Sequence, residues 1–171
     1  MSVSIPPTHR PWDNFYTLFL MSFAPTIIFD CISLYPRSIV PSALLSVHEW
    51  YKVFFNDQLV ITQPTWFRAF TLIEGIYEFP LALWGIWALK SQSPEVPARL
   101  LIWALVCFST TFTCLLAIYY DNVMSDSEKW TVIAMYGLYA VIFGIIGLDM
   151  YCRIQKILVA ATKVVEHDKT R

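Results

Sequence analysis

The stretch WFRAFTLIEGIYEFPLALWGIWAL, residues 66–89, decides the fold. It is long enough to cross the hydrocarbon core of a bilayer, which is about 30 Å thick and takes around 20 helical residues. Three further apolar runs lie at about 14–34, 98–120 and 130–151. Transmembrane barrels use shorter strands of alternating polarity, so continuous runs of this length predict helices. We therefore predict an all-α fold, a four-transmembrane-helix bundle that forms a single domain over residues 1–171.

The overall composition supports a membrane protein. Apolar residues make up 57% of the chain, charged residues only 15%, and the mean hydropathy is +0.53. Soluble domains are considerably more polar. The formal net charge of −1 gives no reason to expect a nucleic-acid partner.

The distribution of basic residues predicts the orientation of the bundle. Residues 1–13 lack the apolar core of a cleavable signal peptide, so the first helix is expected to be retained. Four spans place both termini on one side, and that side carries eight of the twelve lysines and arginines. Because positive residues favour the cytosolic face, we expect both termini, including a tail at 152–171, to be cytosolic.

The connection between the first two spans contains a predicted amphipathic helix at 41–57. Leu44, Val47, Tyr51 and Phe54 recur at helical spacing there, with polar residues between them. The connection would lie on the lumenal side. Two interpretations stay open, an interfacial anchor against lipid headgroups and a lid over a cavity.

Two carboxylates interrupt the apolar spans, Asp30 in the first and Glu74 in the second. Each costs about 2.5 to 3.5 kcal/mol at membrane depth, so a functional role is expected. The helical rise places them about 7 and 12 Å from the lumenal ends of antiparallel helices, which allows them to share a layer. Two neighbouring carboxylates repel each other strongly in a medium of low dielectric constant, so the pair is expected to hold one shared proton. We predict a buried, hydrogen-bonded couple in which Asp30 carries the charge, suited to an amine with an apolar body.

Further polar residues extend this candidate site. Glu78 lies one turn beyond Glu74, and Tyr136 and Tyr139 lie deep in the fourth helix. A purely structural alternative is that the acids lock helices together by hydrogen bonds, worth about 0.6 to 2 kcal/mol each. Packing is an equal alternative for the tyrosines. Asp149 stands four residues before Arg153, which is explained by a helical ion pair.

The four cysteines give no sign of a disulfide or a metal site. They fall within or at the ends of the predicted helices, without a CxxC pattern or metal-ligand spacing, at Cys31, Cys107, Cys114 and Cys152. We predict no metal, no cofactor and no catalytic residue.

A set of residues spread over the first half of the chain resembles the EXPERA domain, and within it the sigma-2 receptor branch. The set consists of Asp30, Leu34-Tyr35-Pro36, Trp50-Tyr51, Asp57, Pro64-Thr65-Trp66-Phe67, Phe70, Glu74 and Phe79-Pro80. The resemblance implies an acid pair at Asp30 and Glu74 in a pocket that opens sideways to membrane lipid. It also implies sterols or amphiphilic amines as ligands, residence in the endoplasmic reticulum membrane, and homodimers.

The candidate ligand-binding residues are therefore Asp30, Glu74, Glu78, Tyr51, Tyr136 and Tyr139. Two features depart from the branch. Glutamine is common there at the position of Glu78, and the C-terminal residues 166–171 lack a dense lysine cluster.

Three functions are weighed. The favoured one is a non-enzymatic receptor-like protein that binds sterols or cationic amphiphiles and takes part in sterol or lipid handling. The alternative is an interaction protein at the endoplasmic reticulum surface in mitochondrial precursor handling, using the tail from Lys156 onwards. A sterol double-bond isomerase is disfavoured, because His9, His48 and His167 all lie outside the predicted spans.

Overall fold

The computed structural model describes residues 11–169, without the side chains of residues 11, 164 and 167–169. Expectations for residues 1–10 and 170–171 fall outside this range. The helices are α1 (Pro11–Asp30, continued by a 3-10 turn at Cys31–Leu34), α2 (Ser42–Phe55), α3 (Gln58–Thr62), α4 (Thr65–Ile73), α5 (Phe79–Lys90), α6 (Val96–Tyr119) and α7 (Asp126–Lys169). A widened π turn, Glu74–Glu78, joins α4 to α5. The described part of the chain contains no strand, which confirms the all-α prediction.

Four segments are long and apolar enough to cross a membrane, as predicted: Trp12–Leu34, Thr65–Lys90, Val96–Tyr119 and Asp126–Lys163. The last helix is longer than expected, since α7 starts at Asp126 and continues to Lys169 without a break at residue 151. Residues 152–169 contain no proline or glycine, and Val, Lys, Ile and Ala are their commonest residues, so nothing in this segment ends the helix.

An aromatic core holds the bundle together. Phe23 packs against Trp103, Tyr139 and Phe143, with ring centroids 5.2 to 5.8 Å apart. Trp103 of α6 is completely buried, and Phe143 of α7 is 1% exposed. Edge-to-face aromatic pairs of this kind add to the stabilisation from burial alone. The core therefore joins α1, α6 and α7 in the middle of the bundle.

A buried ionic network ties the beginning of α1 to α7. The Arg153 guanidinium donates to Asp13 at 2.5 Å and to Asp149 at 2.7 Å, and the Tyr16 hydroxyl donates to Asp149 at 3.2 Å. Arg153 is 3% exposed and Asp13 5% exposed. The predicted pair between Asp149 and Arg153 is confirmed, but it is part of a larger interhelical cluster. The start of α1 and this part of α7 thus lie at one end of the bundle, which we name the terminal end.

Candidate functional site

The candidate site lies at the end of the bundle away from the terminal end, where α1 stops beside the π turn. The Cys31 thiol contacts the Thr71 carbonyl oxygen at 3.6 Å. A Cβ at Gly75 would come within 3.2 Å of the Cys31 sulfur, so glycine permits this close approach. Pro80 has no N–H to bond the Ile76 carbonyl, and the widened turn is compatible with this gap in the helical ladder. Asp30 and Glu74 are brought into one region as a result.

The three predicted acids differ in exposure. Glu78 is 1% exposed, Glu74 is half-buried, and Asp30 keeps an exposed surface although the sequence predicts that it is buried. Asp30 interacts electrostatically with Asp57 and Glu78, and Glu74 interacts with Asp30 and Glu78. Among the ion pairs of the described residues, none joins these acids to a lysine, arginine or histidine. We name Asp30, Glu74 and Glu78 the acid layer. Within the described residues, no basic side chain forms an ion pair with it.

Asp30 and Glu74 lie close enough to interact electrostatically, and the proton-sharing couple between them stays a prediction. Glu74 Oε2 and Glu78 Oε1 are buried and have no hydrogen-bond partner in this part of the structure. Like carboxylates repel one another in a medium of low dielectric unless a proton or a cation lies between them. The carboxyl groups of Asp30, Glu74 and Glu78 therefore need a proton or a cation between them to lie this close together.

Glu78 is held in place from α6. The indole N–H of Trp103 donates to the Glu78 carbonyl oxygen at 3.1 Å, and the Cys107 thiol lies beside the Glu78 carboxyl group. Trp103, Cys107 and Glu78 are all buried, so the Glu78 carboxyl group lies inside the protein. Its unpartnered oxygen is a fixed feature of the site.

Tyr51 and Tyr136, two of the residues predicted to bind a ligand, both direct their hydroxyls to Asp57. Asp57 is fully buried and accepts from the Tyr51 and Tyr136 hydroxyls at 3.1 Å each and from the Leu59 N–H at 3.0 Å. It caps α3 and connects α2, α3 and α7. The ring of Tyr139 packs in the aromatic core, and its hydroxyl lies beside Thr26.

Burial shifts the pKa values of Asp57, Tyr51 and His48, which lie in the segment between the first two spans. Burial raises the pKa of Asp57, against the lowering effect of the hydrogen bonds from Tyr136, Tyr51 and the backbone. Burial and the neighbouring Asp57 raise the pKa of Tyr51, so its hydroxyl stays a donor. Burial and the nearby Lys52 lower the pKa of His48, which keeps that imidazole neutral at neutral pH.

The sequence alone gives little sign of the importance of Asp57. The only local signal is an aspartate directly before a short apolar segment, a common helix N-cap. Its two tyrosine partners come from other elements, one of them 79 residues away.

Replacing Asp57 with alanine should destabilise the protein strongly. Two hydroxyls and one N–H would lose their shared acceptor, and each buried unsatisfied group costs about 1 to 3 kcal/mol. The measurement is the midpoint of thermal unfolding in detergent. The matched control is Asp121→Ala, which removes an aspartate that caps the N–H groups of Val123 and Met124 in a more open loop. Equal shifts for the two variants would contradict a special role for Asp57.

The four long apolar helices define the class of this protein, a multi-pass helical membrane protein. The family description "EXPERA (EXPanded EBP superfamily)" matches residues 43–150, more than half of the chain. The chain belongs to the EXPERA family, as the resemblance in the sequence indicates.

Three curated relatives carry the name "Sigma intracellular receptor 2". The relative from Xenopus tropicalis is 30% identical over 87 residues, which is 49% of this chain and 51% of the relative. The one from Macaca fascicularis is 23% identical over 155 residues, 82% of this chain and 87% of the relative. The one from Homo sapiens is 23% identical over 152 residues, 80% and 85% respectively. The similarity to the frog protein thus spans about half of either chain.

Proposed function

We propose that this protein is a non-enzymatic, receptor-like membrane protein that binds a cationic amphiphile or a sterol at Asp30, Glu74 and Glu78. The proposal includes residence in the endoplasmic reticulum membrane and a role in sterol or lipid handling. The observation that carries it is the pair of buried carboxyl oxygens, Glu74 Oε2 and Glu78 Oε1, that have no hydrogen-bond partner in the described residues.

The energetics favour a ligand that supplies hydrogen-bond donors and positive charge. A buried acceptor without a partner costs about 1 to 3 kcal/mol, and an ionised one costs more. An ammonium group offers several donors and neutralises the layer, so the cost is replaced by charge-assisted hydrogen bonds. Asp30 keeps accessible surface and is the acid that an incoming ligand reaches most easily.

Aromatic side chains around Asp30 suit the apolar part of such a ligand. Tyr51, Tyr136 and Tyr139 all lie within electrostatic range of the Asp30 carboxylate. Since the hydroxyls of Tyr51 and Tyr136 are directed to Asp57, their rings are the surface left to contact a ligand. A sterol would use its hydroxyl as a single donor to the acids, and an amine would add the charge.

A comparison of two ligands with the same tail tests the proposal. The full chain in nanodiscs is mixed with dodecylamine or dodecanol at equal mole fractions, and thermal unfolding is followed by tryptophan fluorescence. We expect the amine to raise the unfolding midpoint by several degrees more than the alcohol, because a ligand that binds only the folded state stabilises it. Equal shifts would mean that the positive charge of the ligand contributes nothing, and would contradict binding at Asp30, Glu74 and Glu78. Mass spectrometry of co-purified lipids would then identify the natural ligand class.

The alternative function, an interaction protein in mitochondrial precursor handling, has one structural feature in its favour. Beyond Arg153, α7 continues with apolar residues that are exposed, including Ile157, Leu158, Val159 and Val165. Such a surface suits contact with another protein. If cellular function survived loss of both Asp30 and Glu74 but not truncation after Arg153, this alternative would replace the ligand-binding proposal.

A further inference from the structure

A cavity lies between α2, the turn after α1, and α3. Its volume is about 180 Å³, and its lining includes Ser33, His48, Lys52 and Gln63 together with the more exposed Arg37 and Glu49. Pockets for drug-sized ligands measure about 300 to 1,000 Å³, so this cavity suits a small group rather than a whole amphiphile. Polar and charged side chains dominate its wall.

His48 is a buried group for which the protein provides no hydrogen bond. Its residue is 4% exposed, and its ring packs edge-on against Phe29 with centroids 5.3 Å apart. No hydrogen bond of the described residues involves His48, and its ring nitrogens are not among the buried atoms that lack a partner, so they are accessible from the cavity that the residue lines. Buried polar groups in native proteins nearly always have a partner. A neutral imidazole in this position offers one N–H donor.

The cavity also carries excess positive charge. The Lys52 ammonium lies 3.6 Å from Glu49, and the Arg37 guanidinium donates to the same carboxylate at 3.1 Å. Two cations therefore share one acid. The Lys52 side chain is only 21% exposed, whereas those of Arg37 and Glu49 are 80% and 50% exposed. Lys52 is thus the charge that water screens least.

We propose that this cavity binds a phosphate group, with Lys52 supplying the charge and His48 and Gln63 supplying hydrogen bonds. A tetrahedral anion with several acceptor oxygens matches donors that surround it from different elements, whereas a cation would be repelled. The acids Asp30 and Glu74 take no part, so the inference is independent of the function proposed above.

The depth of the cavity indicates two sources for the phosphate. The flanking spans end at Leu34 and begin again at Thr65, which places Ser33 and Gln63 near the level of the lipid headgroups. On the outer face of α2, Trp50, Val53 and Phe54 are exposed, an arrangement typical of a helix that rests in the interface. A phospholipid headgroup and a soluble phosphate can both reach this position.

The test uses the full chain in phosphate-free maltoside micelles, with the unfolding midpoint as the readout. Inorganic phosphate and dihexanoyl phosphatidic acid are titrated separately. Stabilisation by phosphatidic acid alone assigns the site to lipid headgroups, and equal stabilisation by inorganic phosphate assigns it to soluble phosphate. No stabilisation by either probe overturns the proposal.

Variants identify the site. Lys52→Gln should weaken phosphate binding by at least about tenfold, as expected when a charge-assisted hydrogen bond is lost, whereas Lys52→Arg should retain it. His48→Gln serves as the second variant if Lys52→Gln does not fold. Arg68→Gln is the matched control, since it removes an exposed cation near the same end of the bundle. Unaltered binding in both Lys52→Gln and His48→Gln would refute the site.

Discussion

Asp30→Asn should weaken binding of a long-chain amine by about 100-fold, while Glu74→Gln should weaken it less. A hydrogen bond to a charged group contributes about 1.5 to 3 kcal/mol, and 1.4 kcal/mol corresponds to a factor of ten in affinity. Asp30 is the accessible acid of the layer, so the asparagine removes the charge that an incoming ammonium meets first. Asp30 is predicted to carry the charge and Glu74 the proton, so glutamine at position 74 removes no charge and the loss is smaller.

The same measurement separates the acid layer from general electrostatics. Affinity for dodecylamine is determined in nanodiscs for the wild-type chain and for both variants, each at several pH values. Asp126→Asn is the control, because Asp126 is an exposed acid at the start of α7. We expect the control to bind like the wild type. Unchanged affinity in both Asp30→Asn and Glu74→Gln would mean that the acids are structural.

Arg153→Met should destabilise the protein by about 3 to 5 kcal/mol, which is the usual cost of removing one partner from a buried ion pair. The guanidinium lies between Asp13 and Asp149, and Asp13 and Arg153 are almost completely buried. Without it, two carboxylates remain close together away from water. The measurement is the midpoint of thermal unfolding in the absence of ligand.

Arg99→Met is the matched control for this prediction. Arg99 pairs with Glu95 one helical turn away, at the surface, with side chains 50% and 57% exposed. Exposed pairs contribute about 0 to 1 kcal/mol, so a small shift is expected. Adding Asp149→Asn to Arg153→Met should recover part of the lost stability, because one of the stranded charges is removed. A shift for Arg153→Met no larger than that for Arg99→Met would contradict the role of the buried network.

The helices are the part of the structure that the sequence predicts well. Long, predominantly apolar runs such as 66–89 must form helices in a bilayer, because every backbone N–H and C=O needs an internal partner there. The periodic pattern at 41–57 likewise predicts α2, which spans Ser42–Phe55. The end of the last helix is less well predicted, because hydropathy marks where the membrane ends and not where the helix ends.

The candidate site could be predicted only in outline. Acids at membrane depth stand out in any apolar run, so Asp30, Glu74 and Glu78 are visible in the sequence. Their partners are not visible. Tyr136 bonds Asp57 across 79 residues and Arg153 bonds Asp13 across 140 residues, and no local pattern relates such positions.

The amino-acid sequence by itself determined that this chain forms four membrane-spanning helices, since that outcome depends on the polarity of each segment against lipid. The tertiary structure alone decided which side chains meet. The rotation of α1 and α7 about their axes brings Asp13 to Arg153, and the widened turn beside Cys31 leaves two carboxyl oxygens without a partner. The physical reason is that contacts between helices depend on how their surfaces pack, and the composition of each helix does not specify that packing.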